Sequence, residues 1–203
     1  LAKLLEDELG DAAGARDVLR EQVALTGPDG PAYATLLRLH EQMSDWSAVA
    51  DQLEAHARTL PEGSERLAAL QQAIDVRHKY LADREPDRLE GLYRQMLIVR
   101  PDDEGTLGRL VAQLRAAARW EDMAQLFRQV AERVDRPEDR SRVVRELARV
   151  LHHGLGRTAE AEEAYRSLIA PGAADESAAC ALARFAADRS AWPEYLTYRE
   201  AQG

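Results

Sequence analysis

The sequence predicts an all-α fold, a solenoid of about six antiparallel helix pairs or about twelve helices, and three observations carry that expectation. Trp46, Trp120 and Trp192 stand 74 and 72 residues apart, a super-repeat of about 73 residues. Each super-repeat splits again. With Ala12, Trp46, Pro86, Trp120, Thr158 and Trp192 as first residues of six second helices, the intervals are 34, 40, 34, 38 and 34. Apolar columns keep step with these starts. Three residues on stand Ala15, Val49, Leu89, Met123, Ala161 and Tyr195; seven on stand Leu19, Leu53, Tyr93, Phe127, Tyr165 and, breaking the column, Arg199. Positions three and seven lie a turn apart on one helix face, so they are expected to be buried.

Taken in order, Leu1, Leu4, Leu5 and Leu9 give a helix over 1 to 9, and the first second helix follows over 12 to 26. First helices are expected over 30 to 43, 63 to 82, 103 to 118, 138 to 153 and 174 to 188. Second helices are expected over 46 to 59, 86 to 99, 120 to 134, 158 to 169 and 192 to 201. Ten residues before each start stand Ala2, Leu36, Val76, Leu110, Ala148 and Leu182, the expected buried stripe of the first helices. Pro28, Pro61, Pro101, Pro137 and Pro171 fall between pairs, where a helix stops or begins. Gly63-Ser64 and Asp135-Arg136-Pro137 read as turn and cap residues before the third and fifth pairs, whose long intervals lengthen their first helices. The pairs are 1-27, 30-61, 63-101, 103-136, 138-171 and 174-203, and together they form a single domain over 1-203.

Composition agrees with helices packed on helices: of 203 residues, 45% are hydrophobic, 31% charged and only 5% aromatic. A net charge of -9 with no Lys/Arg block argues against nucleic acid as partner. No run reaches the roughly 20 apolar residues that a membrane-spanning helix needs, so no direct membrane insertion is expected. Cys180 is the single cysteine and has no disulfide partner within the chain, which is compatible with a cytoplasmic location. The chain starts inside a helix without an initiator Met, so it is expected to be a fragment of a longer array. Its 25 Arg against 2 Lys read as a GC-rich coding bias.

Few residues suggest chemistry. Gly154-Leu155-Gly156-Arg157-Thr158-Ala159 matches G-x-G-x-x-A, but no predicted strand precedes it, and without one the backbone amides are not aimed at a pyrophosphate. It is expected to be an interhelix turn. His152 and His153 are adjacent and, on an α-helix, point about 100° apart, so they do not share a metal; His40, His56 and His78 are scattered. Acidic clusters at Asp102-Asp103-Glu104 and Glu160 to Glu163 sit in first turns, where the macrodipole favours them. No metal, no cofactor and no catalytic set are therefore expected, and the chain is not expected to be an enzyme.

The columns resemble the tetratricopeptide repeat (TPR) family, a degenerate, bacterial-type array, most closely through Tyr33, Leu36, Asp45, Trp46, Leu53 and Pro61, then Tyr80, Tyr93 and Pro101. The resemblance covers essentially the whole chain. It implies a right-handed superhelix with a concave groove, lined by first helices, that accepts a partner peptide or helix. The family's small residue nine before each start is met only by Ala183; the others are Lys3, Leu37, Arg77, Val111 and Arg149, so the pitch is expected to differ. Carried over by position, the groove residues are Ala34, Arg38 and Glu41; Ile74, His78 and Leu81; Gly108, Ala112 and Arg115; Glu146, Val150 and His153; Cys180, Arg184 and Ala187. Arg38, Arg115 and Arg184 are the candidates to fork onto carboxylates of a partner. The Lys and Asn pattern with which some members clamp a terminal carboxylate is missing. The expected function is a protein-protein interaction scaffold, its partner another protein or peptide or a second copy of the chain. The alternative is a structural spacer or self-association segment of a longer repeat array, without a groove ligand.

Overall fold

The computed structural model describes residues 11–28, 30–169 and 175–200, so the helix expected over 1 to 9 lies outside the described residues. Among these residues every regular element is a helix, as the apolar columns predict. Contacts divide the chain into two compact units, Leu1–Val99 and Arg100–Gly203.

The first unit contains α1 (Ala12–Thr26), α2 (Pro31–Gln42), α3 (Trp46–Thr59), α4 (Ser64–Tyr80) and α5 (Pro86–Val99). The second contains α6 (Glu104–Ala116), α7 (Trp120–Arg133), α8 (Pro137–Arg149) running into a π turn (Val150–Gly154), α9 (Thr158–Leu168), α10 (Glu176–Asp188) and α11 (Trp192–Glu200). Within each unit every helix packs on its neighbours in sequence, and α7 also reaches the π turn. Short turns make these neighbours antiparallel. One helix pair cannot cover its own apolar face, so stacking supplies the core.

Local chemistry fixes the helix starts. Asp11, Asp45, Asp103 and Asp175 each accept a hydrogen bond from the backbone N–H three residues on, at 2.8, 3.2, 2.8 and 3.0 Å, capping α1, α3, α6 and α10. Pro31 and Pro137 open α2 and α8, where a missing N–H costs nothing. Three of the turns between paired helices share one form. Ser44, Ala118 and Ser190 take φ of 55°, 52° and 57°, two residues before each tryptophan. The next residue's N–H then closes on His40, Leu114 or Ala186 carbonyl at 2.9, 2.9 and 2.8 Å, a Schellman-type end.

The core columns appear where predicted in five of the second helices, where Ala15, Val49, Leu89, Met123 and Ala161 are buried, as are Leu19, Leu53, Tyr93, Phe127 and Tyr165; in α11 Tyr195 is only half-buried. Leu36, Leu110, Ala148 and Leu182 are buried in the first helices, but Val76 is only half-buried. The cause is turn length. Five residues, 81–85, join α4 to α5, where three join the regular pairs, so counting back from Pro86 lands two positions off. Ile74, at 0% exposure, takes the core place held by Leu36, Leu110 and Leu182.

The helix expected over 138 to 153 also needs correction. It is α-helical only to Arg149 and continues as a π turn. Gly156, at φ 65°, does the work of Ser44, but the closing bond from Arg157 N–H reaches Leu151 carbonyl, six residues back rather than five. The π turn thus holds one inserted residue. Val150 and Leu151 within it are buried, as are Val143 and Leu147 in α8 before it.

His40 ends the core of the first unit. It is buried, its Nδ1 has no hydrogen-bond partner, and Asp45 Oδ2 lies 3.7 Å away. Burial pushes its pKa down, Asp45 pulls up, Arg20 and Arg16 push down, and the net shift is downward. The unfolded chain therefore takes up the proton first. This contribution to stability is complete above the unfolded pKa of about 6.5 and is lost as pH falls below it. Leu114 fills the corresponding place in α6. His40→Leu is expected to flatten the fall in melting temperature between about pH 7.5 and 5.5. Parallel curves for variant and parent would show that His40 does not titrate in folding.

Candidate functional site

Two polar constructions stand out, one in each unit. In the first unit, Arg77 is 0% exposed although fully charged side chains are almost never buried without partners. Its Nε donates to Glu54 at 2.5 Å, one terminal nitrogen donates to Asp51 at 2.5 Å, and the other to Glu85. Arg88 shares Asp51, and Ser47 donates to Glu85 at 3.1 Å. Burial pulls the Arg77 pKa down, but Glu54 and Asp51 outweigh it and the net shift is upward. Each nitrogen of this guanidinium donates to a carboxylate of its own unit. It ties α3, α4 and the turn before α5 together, and its role is structural.

In the second unit, α8, the π turn, α9 and α10 enclose an open cleft of about 390 Å³. Arg149, His152 and His153 line it from the α8 side, Tyr165 from α9, and Ser177, Cys180, Arg184 and Asp188 from α10, with Ala181 and Phe185 as apolar floor. Burial pushes the Tyr165 phenol up against the pull of the Arg149 guanidinium. His152 packs edge-on against Phe185 at 4.7 Å, and Thr158 Oγ1 lies 3.4 Å from its Nδ1. The His152 and His153 rings meet edge to face at 4.5 Å within the π turn.

Charge around this cleft is unevenly spent. Carboxylates of the second helices α7 and α9 are taken by arginines of other elements: Glu121 by Arg157 of the turn before α9 at 2.9 Å, Glu160 by Arg128 of α7 at 2.9 Å, and Glu162 by Arg189 of the turn after α10. Within the cleft wall Arg149 pairs with Glu146 at 2.5 Å. Arg184 is exposed and, among the described residues, makes no ion pair.

Of the groove residues implied by position, His153, Cys180 and Arg184 come together in this cleft, and Glu146 holds Arg149 at its edge. Arg115, Gly108 and Ala112 are exposed on α6, and Ala187 is half-buried on α10. Ala34, Arg38 and Glu41 are exposed on α2, and His78 on α4. Three positions are corrected. Ile74, Leu81 and Val150 are buried in the cores of their units and offer a partner no surface. The extra turn residues slid them inward, and in the fifth pair Arg149 lies where Val150 was expected. Position counting therefore missed Arg149 and His152. The spacing of 38 before Thr158, with Gly154 and Gly156 in one turn, is the signal that marks the insertion.

No group of three or more potential metal-ligating side chains occurs among the described residues. No hydrogen bond joins Cys180 to either histidine among them. No helix among them is long and apolar enough to cross a membrane.

No family model matches the chain. No curated protein matches it either. Among solved structures it is similar to the crystal structure of the C-terminal part of a TPR repeat-containing protein from Cytophaga hutchinsonii. The two share 11% identity at a TM-score of 0.46, over 99% of this chain and 76% of that one.

Proposed function

We infer that the chain is a TPR-like protein-interaction module whose second unit receives a segment of a partner protein on the face formed by α8, the π turn and α10. One observation carries this reading: first-helix positions expected to line a groove, His153, Cys180 and Arg184, border a single open cleft with an apolar floor. Clefts with a small number of convergent polar groups are where ligand segments seat. An arginine with no ion pair at the rim supplies a fork for a partner carboxylate. Arg38, Glu41, His78 and Arg115 are proposed as outlying contacts of the same function in their own units.

A second reading, a spacer whose contacts are with further helices, has its own support. Trp192 and Leu196 on α11 are each 58% exposed, whereas Ala50 and Ala124, which hold the Leu196 place in α3 and α7, are buried. The two readings separate in one comparison. Partner capture from lysate of the native organism is expected to survive Trp192→Ser with Leu196→Ser and to be lost with Arg184→Glu, each variant being first shown to stay helical. The reverse pattern would assign function to the α11 face and leave the cleft idle.

A further inference from the structure

The geometry points to an acidic segment as the occupant of the α8–α10 cleft, held through internal Asp or Glu side chains, with His152 and His153 making the docking tighter as pH falls. This rests on the cleft being the partner site and goes beyond it by naming the chemistry of what binds and a condition that tunes it. Four observations converge. Arg184 faces the cleft without an ion pair. Arg149 lines the opposite wall, so two guanidinium groups border one opening. Ser177 adds a hydroxyl donor beside them. Both histidines of the π turn line the cleft, their rings 4.5 Å apart.

Guanidinium groups prefer planar carboxylates, to which they give paired, charge-assisted hydrogen bonds. Histidine is the side chain whose ordinary titration lies within the physiological range, and a nearby anion favours its charged form. By linkage, an anion that favours protonated histidine binds more tightly where protons are more available. The groups facing the pair are mixed in sign. From α8 comes Arg149 with its partner Glu146, from α10 Arg184 and Asp188, and from the turn after α10 Arg189; from α9 come Tyr165, Glu162 and Arg166; Cys180 and Ser177 complete the wall. Glu162 is occupied by Arg166 at 2.8 Å and by Arg189, so it does not compete for the histidines as a lone carboxylate. Asp188 borders the cleft and Arg149 is already paired with Glu146 at 2.5 Å, so the group that selects an acidic over a basic segment is Arg184, which has no ion pair among the described residues.

The test is a titration of the full 203-residue chain with a fluorescent Glu hexapeptide, blocked at both ends, and with its Gln counterpart, at about pH 7.5 and 5.5. The Glu peptide is expected to bind at least about tenfold more tightly than the Gln peptide, and Arg184→Glu to remove that preference. Binding is expected to tighten about three- to tenfold at the lower pH, and His153→Asn to reduce that gain. His152→Asn with His153→Asn is expected to abolish it, circular dichroism showing that the fold is kept. Equal binding of both peptides, lost in a cleft-filling Ala181→Trp variant, would overturn the acidic assignment while leaving the cleft as a partner site. A pH gain unchanged in the double histidine variant would overturn the histidine role. Failure of the Glu peptide to bind at either pH would overturn the inference as a whole, and the cleft's use by the natural partner is measured separately below.

Discussion

Arg77→Ala is expected to lower stability by about 3 to 5 kcal/mol, the cost of removing one partner from a buried ionic cluster. The physical reason is what remains. Glu54, Asp51 and Glu85 would face one another around a cavity, offset only from the rim by Arg88 on Asp51 and by the exposed Arg58, 3.4 Å from Glu54. Arg77→Lys keeps the charge but not the planar fork, and its cost is expected to be smaller. Arg77→Met fills the space without the charge and is expected to fall between. Denaturant unfolding of the three variants measures the order. A cost under about 1 kcal/mol for Arg77→Ala would place Arg77 among ordinary surface ion pairs and contradict its burial.

Trp120→Ala is expected to cost about 3 kcal/mol, the lower part of the range for aromatic deletions because the indole is only half-buried. Its packing partner is unusual. Gly154 approaches so closely that an added Cβ would lie 3.0 Å from Cδ2 and Cε3 of the indole. Trp46 meets the equivalent demand differently, stacking on Tyr80 at 3.8 Å with the rings 3° from parallel. In both cases the covering residue lies 34 positions downstream, one repeat on. Gly154→Ala is therefore expected to destabilise by about 1 to 3 kcal/mol in the parent and by much less when Trp120 is already Ala. A double-mutant cycle measures this. Strict additivity would mean that the indole and the π turn do not touch.

Much of the fold was legible because helix starts are written in local chemistry. The boundaries 12 to 26, 46 to 59 and 86 to 99 coincide at both ends with α1, α3 and α5, each set by an apolar column and by a polar residue or proline at its start. What periodicity could not supply was the length of each turn. A period tells which residues share a face only within one unbroken helix. Counting back across the five-residue turn before Pro86 moved Ile74 from core to surface, and the π insertion did the same to Val150.

The candidate cleft was half legible for the same reason. Cys180 and Arg184 precede a regular turn and were found; before the irregular turn His153 was found, while Arg149 and His152 were not. Arg77 was visible only as a misfit in the column where the family has a small residue. Its partners come from α3 and from the turn before α5, and nothing in the local pattern joins them.

The most direct test of the functional reading is site-specific photo-crosslinking in cells that naturally make the protein. A photoreactive residue replaces Ala181 in the cleft or, in a second sample, the exposed Glu163 on α9. Covalent capture of the same partner protein from Ala181 and not from Glu163 is the predicted result. Capture from Glu163 alone would place the partner on the second-helix face and contradict the cleft as its site.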